Sequence, residues 1–238
     1  MADVESSNIV GYTSAESGSQ NNFVAVPFNS VGCNTADIQM IKISDGGNGT
    51  IGWGTETFDI WEGAPTVVDG SSFVYWDASI DPTATATAPY WGDSEGTPAS
   101  YSIADGQGVV LGLTEGLEVS YAGEVAKQKI EFTSVAGNNF AGNTFASAID
   151  IQSIKVDDGG AGVIGWGTET FDIWEGAPTV RDGSSFVYWD ASIDPTATAT
   201  APYWGDSEGN PASYSIVPGQ GFVLGLGEGL TVSFDSPY

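Results

Sequence analysis

Two pairs of adjacent aromatic residues have the side chains and spacing that ligand binding requires. They are Tyr75-Trp76, which precedes Asp77, and Tyr90-Trp91. Neighbouring residues of a strand point to opposite faces of a sheet, so we expect one ring of each pair to be exposed. An exposed ring stacks on a sugar while a nearby carboxylate accepts hydrogen bonds from its hydroxyls. The alternative is a wide core whose outer rings are covered by loops or by the facing half of the chain.

Carbohydrate binding is therefore one prediction, with surface glycans as partners. The candidate residues comprise tryptophans, the acids that follow two of them, and later copies of both: Trp76, Trp91, Trp189, Trp204, Asp77 and Asp190. A second cluster of the same kind is Trp61 with Asp59 and Glu62.

Loops rich in aspartate are candidates for calcium binding. Carboxylate and carbonyl oxygens suit this ion, and its charge would relieve repulsion in a chain of net charge −26. The loops do not match the EF-hand pattern, and aspartates in turns commonly bond their own backbone, which is the alternative. The candidate ligands are loop residues of both halves: Asp45, Asn48, Asp81, Asp93, Asp157 and Asp158.

Catalysis has few residues to draw on. The chain has no histidine and a single cysteine, Cys33, which excludes Ser-His and Cys-His nucleophiles and histidine-based metal sites. Glu56, Asp59 and Glu62 offer the carboxylates that glycoside hydrolysis needs. Two nearly identical small units would then form two small active sites, where glycosidases use one large cleft. We therefore predict a protein that is not an enzyme.

The composition excludes further functions. The 238 residues include 31 Asp and Glu but only five Lys and Arg, too few and too scattered to bind nucleic acid. No run of 18 apolar residues is present, so we predict no membrane insertion. With 41% hydrophobic and 12% aromatic residues, the chain has enough apolar material to fold.

A long repeat organises the chain. The block that begins at Ile51 recurs from Ile164, 113 positions later, and the match without gaps joins residues 37–121 to 150–234. From Ile51 to Tyr121 only eight positions differ between the copies. Upstream, residues 26–32 resemble 130–137, which predicts about nine extra residues in the second copy around 138–147.

Short alternating runs bounded by Asp-Gly turns predict strands throughout. Leu117, Val119 and Tyr121 alternate with polar residues, and no window has helical spacing. We predict an all-β protein of two tandem β-sandwich, jelly-roll-like units, residues 1–125 and 126–238, with about eight strands each.

Three segments of the first unit form a recognisable set: DVESSNIVGY at Asp3–Tyr12, FVAVPFNSVG at Phe23–Gly32 and GQGVVLGLTEGLEVSYAGEV at Gly106–Val125. In these segments the first unit resembles a group of exported, uncharacterised repeat proteins of Verrucomicrobia- and Lentisphaerae-type bacteria. The second unit lacks the opening and the ending. In that group a leader peptide precedes the opening segment, so the resemblance implies an extracellular or cell-surface location after leader removal. It supplies no catalytic residues.

The opening segment appears once, which suggests a route to assembly. If it completes a sheet of the first unit, the second unit has an open edge that the N-terminus of another copy would fill. The alternative is that residues 126–132 or the loop at 138–147 cover that edge. The candidate assembly residues are Asn8, Ile9, Val10, Gly11 and Tyr12. We thus expect an exported structural or adhesive protein, with self-assembly into filaments as one form of this function and a tandem carbohydrate-binding module as the alternative.

Overall fold

The computed structural model describes residues 10–52, 54–81, 83–87, 89–165, 167–192, 194, 196–199 and 202–238. Within them the chain is all-β, as predicted, with twenty strands in six antiparallel sheets. Two 3-10 turns, Ile38–Met40 and Ile151–Ser153, interrupt the strands. The described residues contain no helix long and apolar enough to cross a membrane.

Each half contributes ten of these strands, where the sequence predicted about eight. In the first half they are β1 Val10–Glu16, β2 Gln20–Ala25, β3 Thr35–Asp37, β4 Lys42–Ser44, β5 Thr57–Glu62, β6 Ala64–Trp76, β7 Tyr90–Gly92, β8 Ser102–Ala104, β9 Gly108–Leu113 and β10 Glu118–Glu124. In the second half they are β11 Ile130–Thr133, β12 Gly137–Gly142, β13 Ile149–Asp150, β14 Ile154–Asp157, β15 Thr170–Glu175, β16 Ala177–Trp189, β17 Tyr203–Gly205, β18 Ser215–Ile216, β19 Gly221–Leu226 and β20 Thr231–Phe234.

The sheets of the two halves have matching strand orders. The five-stranded sheets run β2-β9-β5-β6-β7 and β12-β19-β15-β16-β17. The three-stranded sheets run β1-β10-β4 and β11-β20-β14, and the pairs β3-β8 and β13-β18 complete the set. Each sheet draws its strands from one half, so the predicted boundary at residues 125/126 lies between β10 and β11.

Two clusters of buried side chains form the core, one in each half. The first joins Val119 of β10 to Phe58 of β5, which links the three-stranded sheet to the five-stranded one. The second joins Val232 of β20 to Phe171 of β15 in the same way. Burial of apolar surface therefore holds a small sheet against a large one in each half.

The positive φ predicted for the Asp-Gly pairs is confirmed, but two of the pairs do not form turns between strands. The glycines that follow Asp45, Asp69, Asp158 and Asp182 all have φ between 62° and 73°, a region that side chains with a Cβ disfavour. The turns at Asp45 and Asp158 follow strands β4 and β14, whereas Asp69 and Asp182 lie within the long strands β6 and β16.

The predicted alignment of the two upstream segments is wrong. Gln20 pairs with Leu113 in β9, and Gly137 pairs with Leu226, the copy of Leu113, in β19. Residues 130–142 therefore correspond to residues 13–25, an offset of 117 rather than 104.

The corrected offset places the loop difference in the other copy. Asn21-Asn22-Phe23 now aligns with Asn138-Asn139-Phe140, and Phe28 aligns with Phe145. Eight residues separate Phe28 from Asp37, whereas four separate Phe145 from Asp150. The first half thus has the longer loop, and the nine extra residues expected in the second half do not exist.

The open edge expected in the second half is not present. Val10, Gly11 and Tyr12 pair with β10 of their own chain, whereas the predicted assembly residues Asn8 and Ile9 lie outside the described residues. In the second half β11 pairs with β20 and occupies the place that β1 has in the first. Residues 126–132 thus cover this edge in part, which was the alternative, so the premise for strand exchange between copies is wrong.

Position 20 gives a test of the corrected alignment. Among the described residues Gln20 is the one non-glycine residue with positive φ, 68°, and its counterpart Gly137 has φ 89°. Because Gln20 is exposed, Gln20→Gly should relieve backbone strain without loss of packing and raise the free energy of unfolding by about 1 kcal/mol. Gly137→Gln should lower it by a similar amount. Urea denaturation measures both; a less stable Gln20→Gly variant would contradict the assignment.

Candidate functional site

The predicted tryptophan platforms are buried. Trp91 and Trp204 have no exposed surface, and Trp76 and Trp189 are 7% and 8% exposed. Trp91 lies in the core of its half, where its ring centroid is 5.1 Å from that of Tyr75 and its Nε1 donates to the carbonyl of Ile41 at 2.9 Å. The expectation that one ring of each pair is exposed is wrong.

The outer ring of each pair is covered by a loop. Trp76 Nε1 donates to the carbonyl oxygen of Asp93 at 3.0 Å, and Gly96 packs against the indole. The Tyr90 hydroxyl donates to the Gly96 carbonyl at 2.7 Å. The loop after β7 thus folds back over the sheet, and the copies around Trp189 make the same bonds. The alternative of a wide, loop-covered core is correct for these rings.

The carboxylates next to these tryptophans stabilise turns. Asp77 Oδ1 accepts hydrogen bonds from the backbone N–H and hydroxyl of Ser79 at 2.8 and 2.7 Å. Asp190 accepts the same two bonds from Ser192. Neither carboxylate therefore lies beside an open aromatic face of Trp76 or its copy.

The candidate calcium ligands also bond to their own loops. Asp45 accepts backbone N–H bonds from Gly47 at 2.8 Å and Thr50 at 2.6 Å, and Asp158 repeats this pattern with Gly160 and Val163. Asp81, Asp93 and Asp157 accept backbone N–H bonds from residues two positions on, and the Asn48 N–H donates to the Asp45 carbonyl in the same turn.

These loops do not converge on an ion. No three Asp, Glu, Cys or His side chains of the described ranges come together in a way that would hold a metal. The structure brings Asp45 and Asn48 into one loop and leaves Asp81 and Asp93 in separate turns. Calcium binding stays a prediction without a located site.

An aromatic cluster joins the two halves where their five-stranded sheets face each other. Phe23 of β2 stacks on Phe140 of β12 with ring centroids 6.3 Å apart and an interplanar angle of 13°. Trp61 and Trp174 flank this stack, and each meets both phenylalanines edge to face at 5.5–5.8 Å. Each ring thus makes the same contacts as its counterpart in the other half, so the interface between the halves is reciprocal.

Backbone contacts across this interface are reciprocal as well. Ala25 N–H donates to the Gly219 carbonyl at 2.9 Å, and its counterpart Gly142 donates to the Gly106 carbonyl at 3.0 Å. One further contact breaks the reciprocity: Gly63 and Asn138 exchange two backbone bonds.

Glycines permit this close approach. A Cβ at Gly108 would lie 2.5 Å from the carbonyl oxygen of Ala141, and one at Gly221 would lie 2.6 Å from the carbonyl carbon of Phe23. Because backbone atoms cannot move aside like a side chain, the glycines let strands β9 and β19 lie against the facing half.

Two clefts open beside the aromatic cluster, one on each side. The first has a volume of about 380 Å³ and is lined by Trp61, Tyr101, Gln107 and Asn138, among others. The second, of about 700 Å³, contains the copy of every residue that lines the first. The two clefts are therefore versions of one site, each built from both halves.

Trp61 and Trp174 differ from the buried tryptophans in their bonding. The indole N–H of each buried tryptophan donates to a backbone carbonyl. Trp61 and Trp174 are half-buried, and their N–H groups donate to no described residue. The acids Asp59 and Glu62 beside Trp61 mark this residue as a candidate in the sequence, but no sequence pattern indicates the clefts.

The clefts differ at three of the eight positions that distinguish the repeats. Val68, Ala104 and Asp105 in the first cleft are replaced by Arg181, Val217 and Pro218 in the second. Arg181 Nε lies 3.6 Å from Glu175 Oε2 in an ion pair on the second cleft. Glu62, the copy of Glu175, has no ionic partner in the described chain.

Comparison of the chain with protein-family models, with curated proteins and with solved structures finds no match.

We predict that a methyl group at either interface glycine disrupts the contact between the halves. Gly108→Ala and Gly221→Ala should each lower the free energy of unfolding by about 2 kcal/mol, because the Cβ meets backbone that can only shift. Urea unfolding measures the loss. Gly18→Ala is the matched control, since its Cβ makes only an ordinary contact 3.6 Å from the Asn22 amide oxygen. Equal stability of all three variants would contradict this packing.

The loops of Asp45 and Asp158 should make the stability of the protein depend on pH in the acid range. Backbone N–H groups, that of Gly47 first, hold the pKa of Asp45 below its usual range, and Gly160 heads the same effect on Asp158. The unfolded carboxyl has a pKa of about 3.9, so each loop contributes stability above that pH and loses it as pH falls through the lower folded value. Asp45→Ala should lower the melting temperature at neutral pH, and the difference should vanish near pH ~2.

The control for this experiment is Asp69→Ala. Asp69 is exposed and its carboxylate has no hydrogen-bond partner among the described residues, so its loss reports the effect of one negative charge alone. A melting-temperature difference for Asp45→Ala that stays constant from neutral to acid pH would show that the carboxylate bonds do not stabilise the loop.

Proposed function

We propose that the chain is an exported, non-enzymatic protein of the cell surface that acts as an adhesive component. It consists of one β-sandwich unit made twice, residues 1–125 and 126–238, with the two units locked face to face. The observation that carries this proposal is the pair of clefts on either side of the Phe23–Phe140 stack, each presenting a half-buried tryptophan.

The paired clefts support adhesion because they are fixed relative to each other. The reciprocal ring contacts and the backbone bonds of Ala25 and Gly142 hold the units in one orientation. Two weak sites on one rigid body act together through effective concentration when they meet a surface with repeated ligands. A nearly unchanged copy of a contact surface suits this use better than catalysis.

The resemblance of the first unit to exported proteins supports the proposed location. The low lysine and arginine content and the net charge of −26 make copies of the protein repel one another, which keeps a surface protein soluble. The same negative charge suits uncharged or basic partners. Surface glycans remain the partners that the half-buried Trp61 and Trp174 favour.

We predict that both clefts contribute to adhesion. Beads coated with the protein should bind surfaces of immobilised polysaccharide, and Trp61→Leu or Trp174→Leu should each lower retention at least about tenfold through loss of bivalence. The double variant should not be retained. Leucine preserves apolar contact with Phe23 and Phe140, and the melting temperature reports whether each variant is folded.

The matched control is Val163→Ala, because Val163 is exposed and lies outside both clefts. Retention of the folded double variant at the wild-type level would show that adhesion, if present, uses another surface. Failure of the wild-type protein to bind any immobilised polysaccharide or bacterial cell surface would reject the adhesive function.

A further inference from the structure

We propose that the first cleft binds a neutral oligosaccharide, with Trp61 as the stacking surface and Glu62, Asp105 and Asn138 as polar contacts. This proposal rests on the proposed adhesive function and specifies its ligand. The proposal further assigns different specificities to the two clefts, since the second has Pro218 where the first has the carboxylate of Asp105.

The aromatic part of the first cleft suits a sugar ring. Trp61 is half-buried and packs against both Phe23 and Phe140, so its position is fixed before a ligand arrives. Tyr101 lies on the same cleft, where its hydroxyl is 3.5 Å from the Gln107 amide nitrogen. Fixed aromatic rings bind the apolar face of a pyranose with little loss of side-chain entropy.

The polar groups of this cleft have unused hydrogen-bonding capacity. The side chains of Glu62 and Asn138 and the N–H of Trp61 make no hydrogen bond within the described residues. Asp105 Oδ1 is buried without a partner, and its other oxygen is 3.5 Å from the Asn29 amide nitrogen. A buried acceptor without a donor costs free energy that a ligand donor recovers.

The mixture of donors and acceptors favours a neutral polyhydroxylated ligand. No lysine or arginine lines the described part of this cleft, and Glu62 and Asp105 would repel an anion. A cationic group would satisfy the carboxylates but would leave the Trp61 N–H and the Asn138 amide hydrogens without acceptors. Each sugar hydroxyl both donates and accepts, so one ligand type satisfies all four groups. The volume of about 380 Å³ lies in the range of small-molecule sites.

The second cleft differs from the first in its polar lining, and it has Ala15 where the first has Phe132. Pro218 replaces Asp105 and has no side-chain acceptor, while Arg181 neutralises Glu175. The second cleft is also larger, with a volume of about 700 Å³. We therefore expect calorimetry to detect one oligosaccharide site in each chain, while the second cleft binds more weakly and contributes to adhesion where many chains meet one surface.

The test is isothermal titration calorimetry of the full chain with defined oligosaccharides. The probes are cellohexaose, mannohexaose and xylohexaose as neutral ligands, hexagalacturonate as an anion, and hexalysine as a cation. At least one neutral oligosaccharide should bind at one site per chain with a Kd of about 1 mM or tighter, and the charged probes should not compete. Binding of hexalysine in preference to all neutral probes would overturn the sugar assignment.

The repeat provides its own control variants. The triple exchange Val68→Arg, Ala104→Val and Asp105→Pro gives the first cleft the residues that the second has at these three positions, and it should weaken binding at least about tenfold. The reverse exchange Arg181→Val, Val217→Ala and Pro218→Asp should raise the number of sites from one to two. Because every exchanged residue already occurs in the same backbone setting of the other half, both variants should fold, and their melting temperatures confirm it.

The possible outcomes separate this inference from the proposed function. No heat from any neutral probe at concentrations up to about 10 mM, or unchanged affinity after the first exchange, overturns the sugar site. If beads still adhere and lose adhesion in the Trp61 and Trp174 double variant, the adhesive function stands while this inference fails. If neutral sugars bind the first cleft but beads do not adhere, the inference stands and adhesion fails.

Discussion

The stack of Phe23 on Phe140 is the contact on which the arrangement of this molecule depends. It lies where two five-stranded sheets meet, and the edge-to-face contacts of Trp61 and Trp174 extend it on both sides. Each aromatic pair adds about 1 kcal/mol beyond the burial of its area, so the cluster contributes several kcal/mol to the union of the halves. Without this union neither cleft exists, since each draws its lining from both halves.

A reciprocal interface allows the two clefts to diverge at little cost. Gly108 and its copy Gly221 are the same residue in both halves, because a side chain at either position would meet backbone atoms of the opposite half. Positions at the cleft walls carry no such constraint. Three of the eight differences within the repeated block fall there, which changes the charge of a cleft while the sheets and cores keep their form. Glu175 shows the effect, since it has gained Arg181 as a partner.

The strands and turns were accessible from the sequence because they depend on local rules. Alternating residues such as Val119 and Tyr121 lie in a strand with buried positions as expected, and glycines after aspartate adopt positive φ. The upstream alignment failed because it rested on a short apolar similarity around residue 28. The motif Asn-Asn-Phe at 21–23 and 138–140 was the better signal, since Asn22 and Asn139 make the same backbone bonds and the phenylalanines meet at the interface.

Exposure of the aromatic rings was the least predictable property, because alternation in a strand says which face a ring takes but not what covers that face. Trp76 and Trp61 both point away from the core of their half. A loop that contains Gly96 covers Trp76, and the Asp93 carbonyl of this loop accepts a hydrogen bond from the indole N–H. The other half of the molecule covers Trp61 only in part. An indole whose N–H donates to a backbone carbonyl stabilises the fold and has no free donor for a ligand. One that keeps its N–H free at a cleft between two rigid sheets, as Trp61 does, is available to a ligand.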